Sequence, residues 1–400
     1  MMPAPSPAAD HRLALITFDR LPAWMLSTWG STWLATPAFD RLAARGVTLD
    51  AVMSPGESLE ATLEAVVGRA CRALGQPRMP AALLVTDTEV VARSPLAAGF
   101  ARVLEEPAGP TRQCGAEVDD TALWHLFSTA AEAAVETVPG LMWCHAGSLG
   151  VAWDAPLEFR DCLATEEDPE PPRSAEIPAL CVAADEDPDL ILGVRQAFAG
   201  QVMLADRLLG GLLDALESTG QPWSVVVAGM RGMPLGLHGQ LGLPVGGEPA
   251  AGEPGLLPYG DLVQMPVIIA DAAGRMAGQR YGGLLAADDL GAFLHASATG
   301  EGAESRLAGL LERWACQPRE QVVSRTRRGL SVATEEWRLV LERRATDGPE
   351  DAGAPLPALF AKPDDFFEQC DVADRCPQVV DDLLAELADA ETGRKAAKKL

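Results

Sequence analysis

Leu13-Ala14-Leu15-Ile16-Thr17-Phe18-Asp19-Arg20, followed by Thr36-Pro37-Ala38-Phe39-Asp40-Arg41-Leu42-Ala43-Ala44-Arg45-Gly46-Val47, decides how this chain folds. The first stretch is a short apolar run that ends on a charged pair. It predicts a buried parallel strand delivering Asp19 to its C-terminal edge, which is where open α/β sheets place their ligands. The second stretch predicts a short helix, with Thr36 as its cap, Pro37 in the first turn and Gly46 as its stop. Residues 47–52 then return to the sheet.

Further apolar runs at 82–85, 141–144, 223–227 and 266–270 have the length and β-branched content of buried strands. Between them lie helical patterns. The clearest is a stripe through Ile191, Val194, Phe198, Val202, Ala205 and Leu209 that opens after Asp187-Pro188 and closes at Gly220. Strands alternating with helices predict an α/β fold: a mixed, largely parallel central sheet with helices on both faces. Two segments, 166–189 and 243–257, are acidic or rich in Gly and Pro and read as surface loops or lids. The glycines of 242–260 carry no phosphate-cradling spacing between a strand and a helix. After residue 300 the pattern changes to a helix at 307–314, strands at 321–324, 330–334, 337–341 and 359–361, and a last helix at 379–387. The expected organisation is a disordered N-terminus (1–10), an α/β domain (11–300), a small C-terminal α+β subdomain (301–390) and a frayed basic tail (391–400).

The chain has 400 residues and a formal charge of −25, so clustered Lys and Arg for a nucleic-acid or anionic-membrane surface are not expected. No apolar run has the length of a membrane span, and residues 1–7 lack the layout of a secretory signal. A cytoplasmic location is the expectation. The eight cysteines are scattered without C-x-x-C or Cys/His spacing, which predicts free thiols. Trp24, Trp29 and Trp33 are close in sequence and are expected to pack in the interior.

Four stretches, in order along the chain, resemble the sulfatase family of the alkaline phosphatase-like superfamily. The first is the opening strand, Asp19 and the 36–47 helix. The second is Leu212-Leu213-Asp214-Ala215-Leu216-Glu217 with strand 223–227 and Gly236-Leu237-His238-Gly239. The third is Gln264-Met265-Pro266-Val267-Ile268-Ile269. The fourth is Ala333-Thr334-Glu335-Glu336-Trp337-Arg338-Leu339 with Leu359-Phe360-Ala361-Lys362-Pro363-Asp364-Asp365.

That resemblance implies ester hydrolysis at a divalent cation, with a nucleophile made from Cys or Ser and basic groups for the developing charge. Asp19 matches the first metal ligand, and Arg20 stands where a second Asp is frequent. Ser58 falls at the nucleophile position, but Glu60 and Thr62 replace the Pro and Arg of the maturation signal, so no formylglycine is expected. A helix cap is the alternative role for Ser58. Met230 and Arg231 replace the Asp-His or Asp-Asn ligand pair; a thioether binds Mg²⁺ or Ca²⁺ poorly, and a guanidinium repels them. Arg231 then either holds an anion or pairs with Asp19. His145 matches a family His, the second expected His is Gly150, and the expected Lys is Leu243. His238 keeps its turn as a structural or ligand-binding residue. The resulting expectation is a degenerate, non-catalytic sulfatase-like protein without a cofactor, binding an anionic small molecule at Arg231, Arg20 and His238, or a protein partner. The alternative is an active sulfate or phosphate ester hydrolase using Ser58 and Asp19 with Ca²⁺ or Mg²⁺.

Overall fold

A computed structural model describes residues 12–73, 82–181, 186–242, 255–299, 316–343 and 357–397. The strands are β1 Arg12–Phe18, β2 Val47–Met53, β3 Ala82–Thr86, β4 Arg102–Glu105, β5 Leu141–Ala146, β6 Ala179–Cys181, β7 Trp223–Gly229, β8 Gln240–Gly242, β9 Gln264–Ala270, β10 Gln279–Tyr281, β11 Leu285–Ala286, β12 Val322–Arg325, β13 Gly329–Ala333, β14 Trp337–Glu342 and β15 Ala358–Ala361. The helices are α1 Pro37–Arg45, α2 Leu59–Ala73, α3 Glu89–Ala92, α4 Ala122–Thr137, α5 Glu158–Asp161, α6 Pro188–Ser218, α7 Gly260–Val263, α8 Ala287–Thr299 and α9 Pro377–Ala397.

The central sheet runs β10-β2-β9-β7-β1-β5-β3-β4, with β11 also on β2. Its pairs are parallel except those that β9 makes with β2 and β7. This is the predicted mixed, largely parallel sheet. β1 is apolar from Leu13 to Ile16 because both of its faces are covered. Ala14, Ile16 and Phe18 join the cluster that holds Leu42 of α1, Phe127 of α4 and Phe198 of α6. Leu13 and Leu15 join the opposite cluster, with Leu63 and Val67 of α2 and Leu290 of α8.

α1 begins where it was predicted, but Thr36 does not cap it. The Thr36 hydroxyl bonds Ser27 instead, and Asp206 of α6 accepts the first free amides, Ala38 N–H at 2.9 Å and Phe39 N–H at 3.0 Å. A carboxylate supplied from another helix satisfies the orphan donors and the dipole together. Burial pushes the Asp206 carboxyl up to about 6. α6 does open as read, with Asp187 accepting from Asp189 N–H at 3.0 Å.

β12–β15 form a separate antiparallel sheet, and α9 packs on it through Val380, Leu383 and Leu387. The helix runs on into the basic tail, to Ala397, beyond the predicted 379–387. Within the predicted loop 166–189, Ala179–Cys181 pairs with β8 as a two-stranded ribbon. The predicted helix 307–314, Leu243 and residues 1–10 lie outside the described residues. The small sheet is stitched to the end of β2: Ser324 Oγ donates to Ser54 O at 2.6 Å and Arg325 N–H to Pro55 O at 2.8 Å. Gly56 is required there, because its φ is +148° and a Cβ would lie 1.7 Å from Arg325 O.

Candidate functional site

β1 lies between β5 and β7, so the segments that leave all three strands meet at one sheet edge. Asp19 N–H donates to Ala146 O at 2.8 Å, and Met230 N–H donates to Phe18 O at 2.7 Å. That register brings Asp19 and Arg231 together across 212 positions of sequence.

Arg231 grips the carboxylate with two parallel bonds, Nε to Oδ1 at 2.9 Å and Nη2 to Oδ2 at 2.6 Å, while Nη1 donates to Glu57 O. Both residues are buried, Asp19 at 4% and Arg231 at 6% exposure. Burial alone would raise the Asp19 pKa, but the charge and hydrogen bonds of Arg231, helped by Arg20, bring it down to about 2. Arg20 stands 3.9 Å from Asp19 Oδ2 through Nε and donates from Nη1 to Gly232 O at 3.4 Å. Its φ of +65° costs on the order of 1 kcal/mol outside glycine. Gly150 lines the same space: a Cβ there would lie 3.1 Å from Arg20 Cγ and 3.7 Å from Asp19 Oδ2. A side chain at 150 would therefore require the Arg20 side chain to give by a few tenths of an ångström.

Met230 contributes nothing polar. It is fully buried in the apolar cluster that contains Leu15, Val226 and Met265. The residues around Asp19 do not fit a Ca²⁺ or Mg²⁺ ion, since both carboxylate oxygens already hold a cationic fork and the next position is a core thioether. Among the described residues, no group of three or more His, Cys, Asp and Glu side chains is arranged to hold a metal ion.

His145 is buried at the end of β5. Its Nδ1 shares a hydrogen bond with Thr17 Oγ1 at 2.8 Å, and Thr17 Oγ1 also accepts from Trp143 Nε1 at 2.9 Å. Burial lowers the His145 pKa against the opposing charges of Asp87 and Asp19. Its Nε2 has no hydrogen-bond partner among the described residues. Asp87, which the sequence reading passed over, follows β3 as Asp19 follows β1. It accepts Gly147 N–H at 2.6 Å, Ser148 N–H at 3.0 Å and Thr88 Oγ1 at 3.0 Å, and so fixes the loop after His145. An apolar strand ending on Asp was the signal available for both.

Ser58 is exposed, and its Oγ accepts Ala61 N–H at 3.2 Å at the start of α2. Thr62 closes the same turn through Ser58 O at 3.0 Å. The neighbouring Glu57 touches Arg231 through its carbonyl and accepts Arg327 N–H with its carboxylate at 2.5 Å. Ser58→Ala is expected to cost about 1 kcal/mol, the value of a helix cap, in urea unfolding.

His238 has different company. It stacks on Tyr259, with ring centroids 3.7 Å apart and 9° between the planes, and burial lowers its pKa. Nearby, Glu368 accepts Gly260 N–H at 2.7 Å and pairs with Arg338 at 2.8 Å and Lys362 at 2.9 Å. Trp24 and Trp29 are half-buried against the core, whereas Trp33 is exposed, so the predicted interior packing holds for two of the three.

No family model and no curated protein matches the sequence. Solved structures do match over nearly the whole chain. A protein in complex with its substrate D-glucosamine-2-N,6-O-disulfate aligns at 13% identity and TM-score 0.69, covering 96% of this chain and 98% of its own. The phosphonate monoester hydrolase of Agrobacterium radiobacter aligns at 15% identity and TM-score 0.68, covering 95% of each chain. A 2-O GAG sulfatase aligns at 15% identity and TM-score 0.65, covering 96% of this chain and 92% of its own. At such identities the likeness establishes the fold.

Proposed function

We propose that this chain, which has the sulfatase-type fold of the alkaline phosphatase superfamily, is a non-catalytic protein that acts by binding. The observation carrying this reading is the buried, two-bonded Arg231–Asp19 pair. A fixed guanidinium stands where sulfate-ester chemistry needs a mobile, Lewis-acidic cation, and it neutralises the carboxylate without polarising a substrate oxygen. Ser58 supports the reading too, since its oxygen caps α2.

What is bound is an anionic small molecule at Arg20, Arg231 and His145, or a protein partner. Arg20, Arg231 and the unpartnered His145 Nε2 favour the first; the commitment of Arg231 to Asp19 favours the second. His238, stacked on Tyr259, is outside this reading. We place the protein in the cytoplasm, on the support of its free described cysteines. No described helix is long and apolar enough to cross a membrane.

Aryl sulfate, aryl phosphate and aryl phosphonate esters should show no turnover with Ca²⁺, Mg²⁺, Mn²⁺ or Zn²⁺ present, and dialysed protein should hold no stoichiometric metal. Turnover that vanishes in Ser58→Ala would establish instead a hydrolase using Ser58 and Asp19. For the anion, thermal stabilisation by sulfate or phosphate in wild type but not in Arg20→Ala favours a small-molecule ligand; equal shifts in both favour the partner.

A further inference from the structure

α4 and α6 lie side by side on one face of the sheet and line an open groove of about 620 Å³ that shares no residue with the Asp19 site. Its lining mixes polar and apolar groups: Trp124, Ala131 and Leu208 are half-buried and reach it, with Phe127 and Leu212 buried beneath them. Glu117 and Asp119 rim one side and Glu158 the other, with Arg207 as the lining base.

Gly211 also lines the groove, and no described residue accounts for it. A glycine inside a helix is unfavourable relative to alanine and survives where a neighbour comes too close for a Cβ. Gly200 meets that condition, with Arg160 Cγ 3.0 Å and Phe159 C 3.2 Å from its would-be Cβ, and Gly210 faces Ala38 Cβ at 3.5 Å. At Gly211 no described residue lies within 4 Å. The missing side chain leaves the floor open between Leu208 and Leu212.

We propose that this groove docks a basic, amphipathic helix of a partner protein. A cleft between two parallel ridges of side chains receives a third helix by the geometry that packs helices together, with apolar anchors three and four residues apart entering the floor. Three rim carboxylates against one arginine select lysine or arginine on the flanks of that helix. Gly211 lets its backbone approach α6 closely.

The probe is a short fluorescent peptide with leucines at helical spacing and lysines elsewhere, set against its glutamate counterpart, in fluorescence anisotropy at physiological salt. The lysine peptide should bind wild type with a dissociation constant on the order of micromolar, and the glutamate peptide should not bind. Gly211→Leu, which fills the floor, and Asp119→Lys/Glu158→Lys, which reverses the rim, should each weaken binding at least about tenfold. Equal binding to wild type and Gly211→Leu would assign the attraction to the −25 charge of the chain at large and overturn the proposal. Absence of binding to wild type would overturn it as well. The double charge reversal decides the matter independently if Gly211→Leu folds poorly.

Discussion

Arg231→Ala is expected to destabilise the chain by about 3–5 kcal/mol at pH 7, because it strands a buried carboxylate. The side chains of Arg231 and Asp19 are 7% and 6% exposed, so water cannot stand in for the lost partner. The pH dependence should invert as well. In wild type the Asp19 pKa is depressed to about 2, so its contribution is complete above the unfolded value near 4 and is lost as pH falls towards 2. Without Arg231, burial dominates and lifts the folded pKa above the unfolded one. The variant then loses stability as pH rises, and its deficit against wild type grows from pH 3 to pH 7. Urea unfolding followed by tryptophan fluorescence across that range measures both effects. Asp19→Asn/Arg231→Met, which removes both charges, should recover most of the loss, since a buried pair swapped for neutral groups is often close to neutral in stability. A deficit below about 1 kcal/mol in Arg231→Ala would mean that the pair is solvated and would remove the main support for the non-catalytic reading.

Much of this site was legible in the sequence because it sits where strand pattern is strongest. A continuous apolar run ending on a charge identified β1 and Asp19, and the run at 223–227 placed Arg231 at the end of the neighbouring strand. Pairing between the two was one of the alternatives open from sequence, and the parallel register of β1 with β7 brings them together. Asp87 carried the same strand-then-Asp signal but follows a shorter strand, Ala82–Thr86, and the loop it fixes comes sixty positions later. The α1 cap was misread for a related reason. Thr36 is the local candidate, and Asp206, 168 positions away from the amide it accepts, has no local mark.

The buried charges of the C-terminal subdomain were the least legible part. Arg338, the second residue of β14, is 1% exposed and paired with Glu368, a role the sequence does not mark. Periodicity gives the face of a residue but not the charge that will meet it across the fold. The same limit separates His238 from Asp19: a matching motif locates the turn, but only the packed structure shows that Tyr259 stacks on the ring.

Those buried charges set up the second large effect. Asp261, at the start of α7, has its carboxyl pushed up to about 7 by burial and by the negative charge of Glu368, with Arg338 and Arg195 opposing too weakly to compensate. A folded pKa above the unfolded value near 4 means that the native state holds this proton more tightly. Its contribution to stability is therefore complete below about pH 4 and is lost as pH rises through about 7. Asp261→Asn keeps the shape and stays neutral, so it should abolish that decline. At pH 8 the variant should be more stable than wild type by on the order of 2–4 kcal/mol, and at pH 4 the two should be nearly equal. Melting temperatures at both pH values test this. Equal gains at pH 4 and pH 8 would assign the effect to packing and not to the proton. A loss at pH 8 would mean that the ionised carboxylate is held by Arg195 and Arg338 after all.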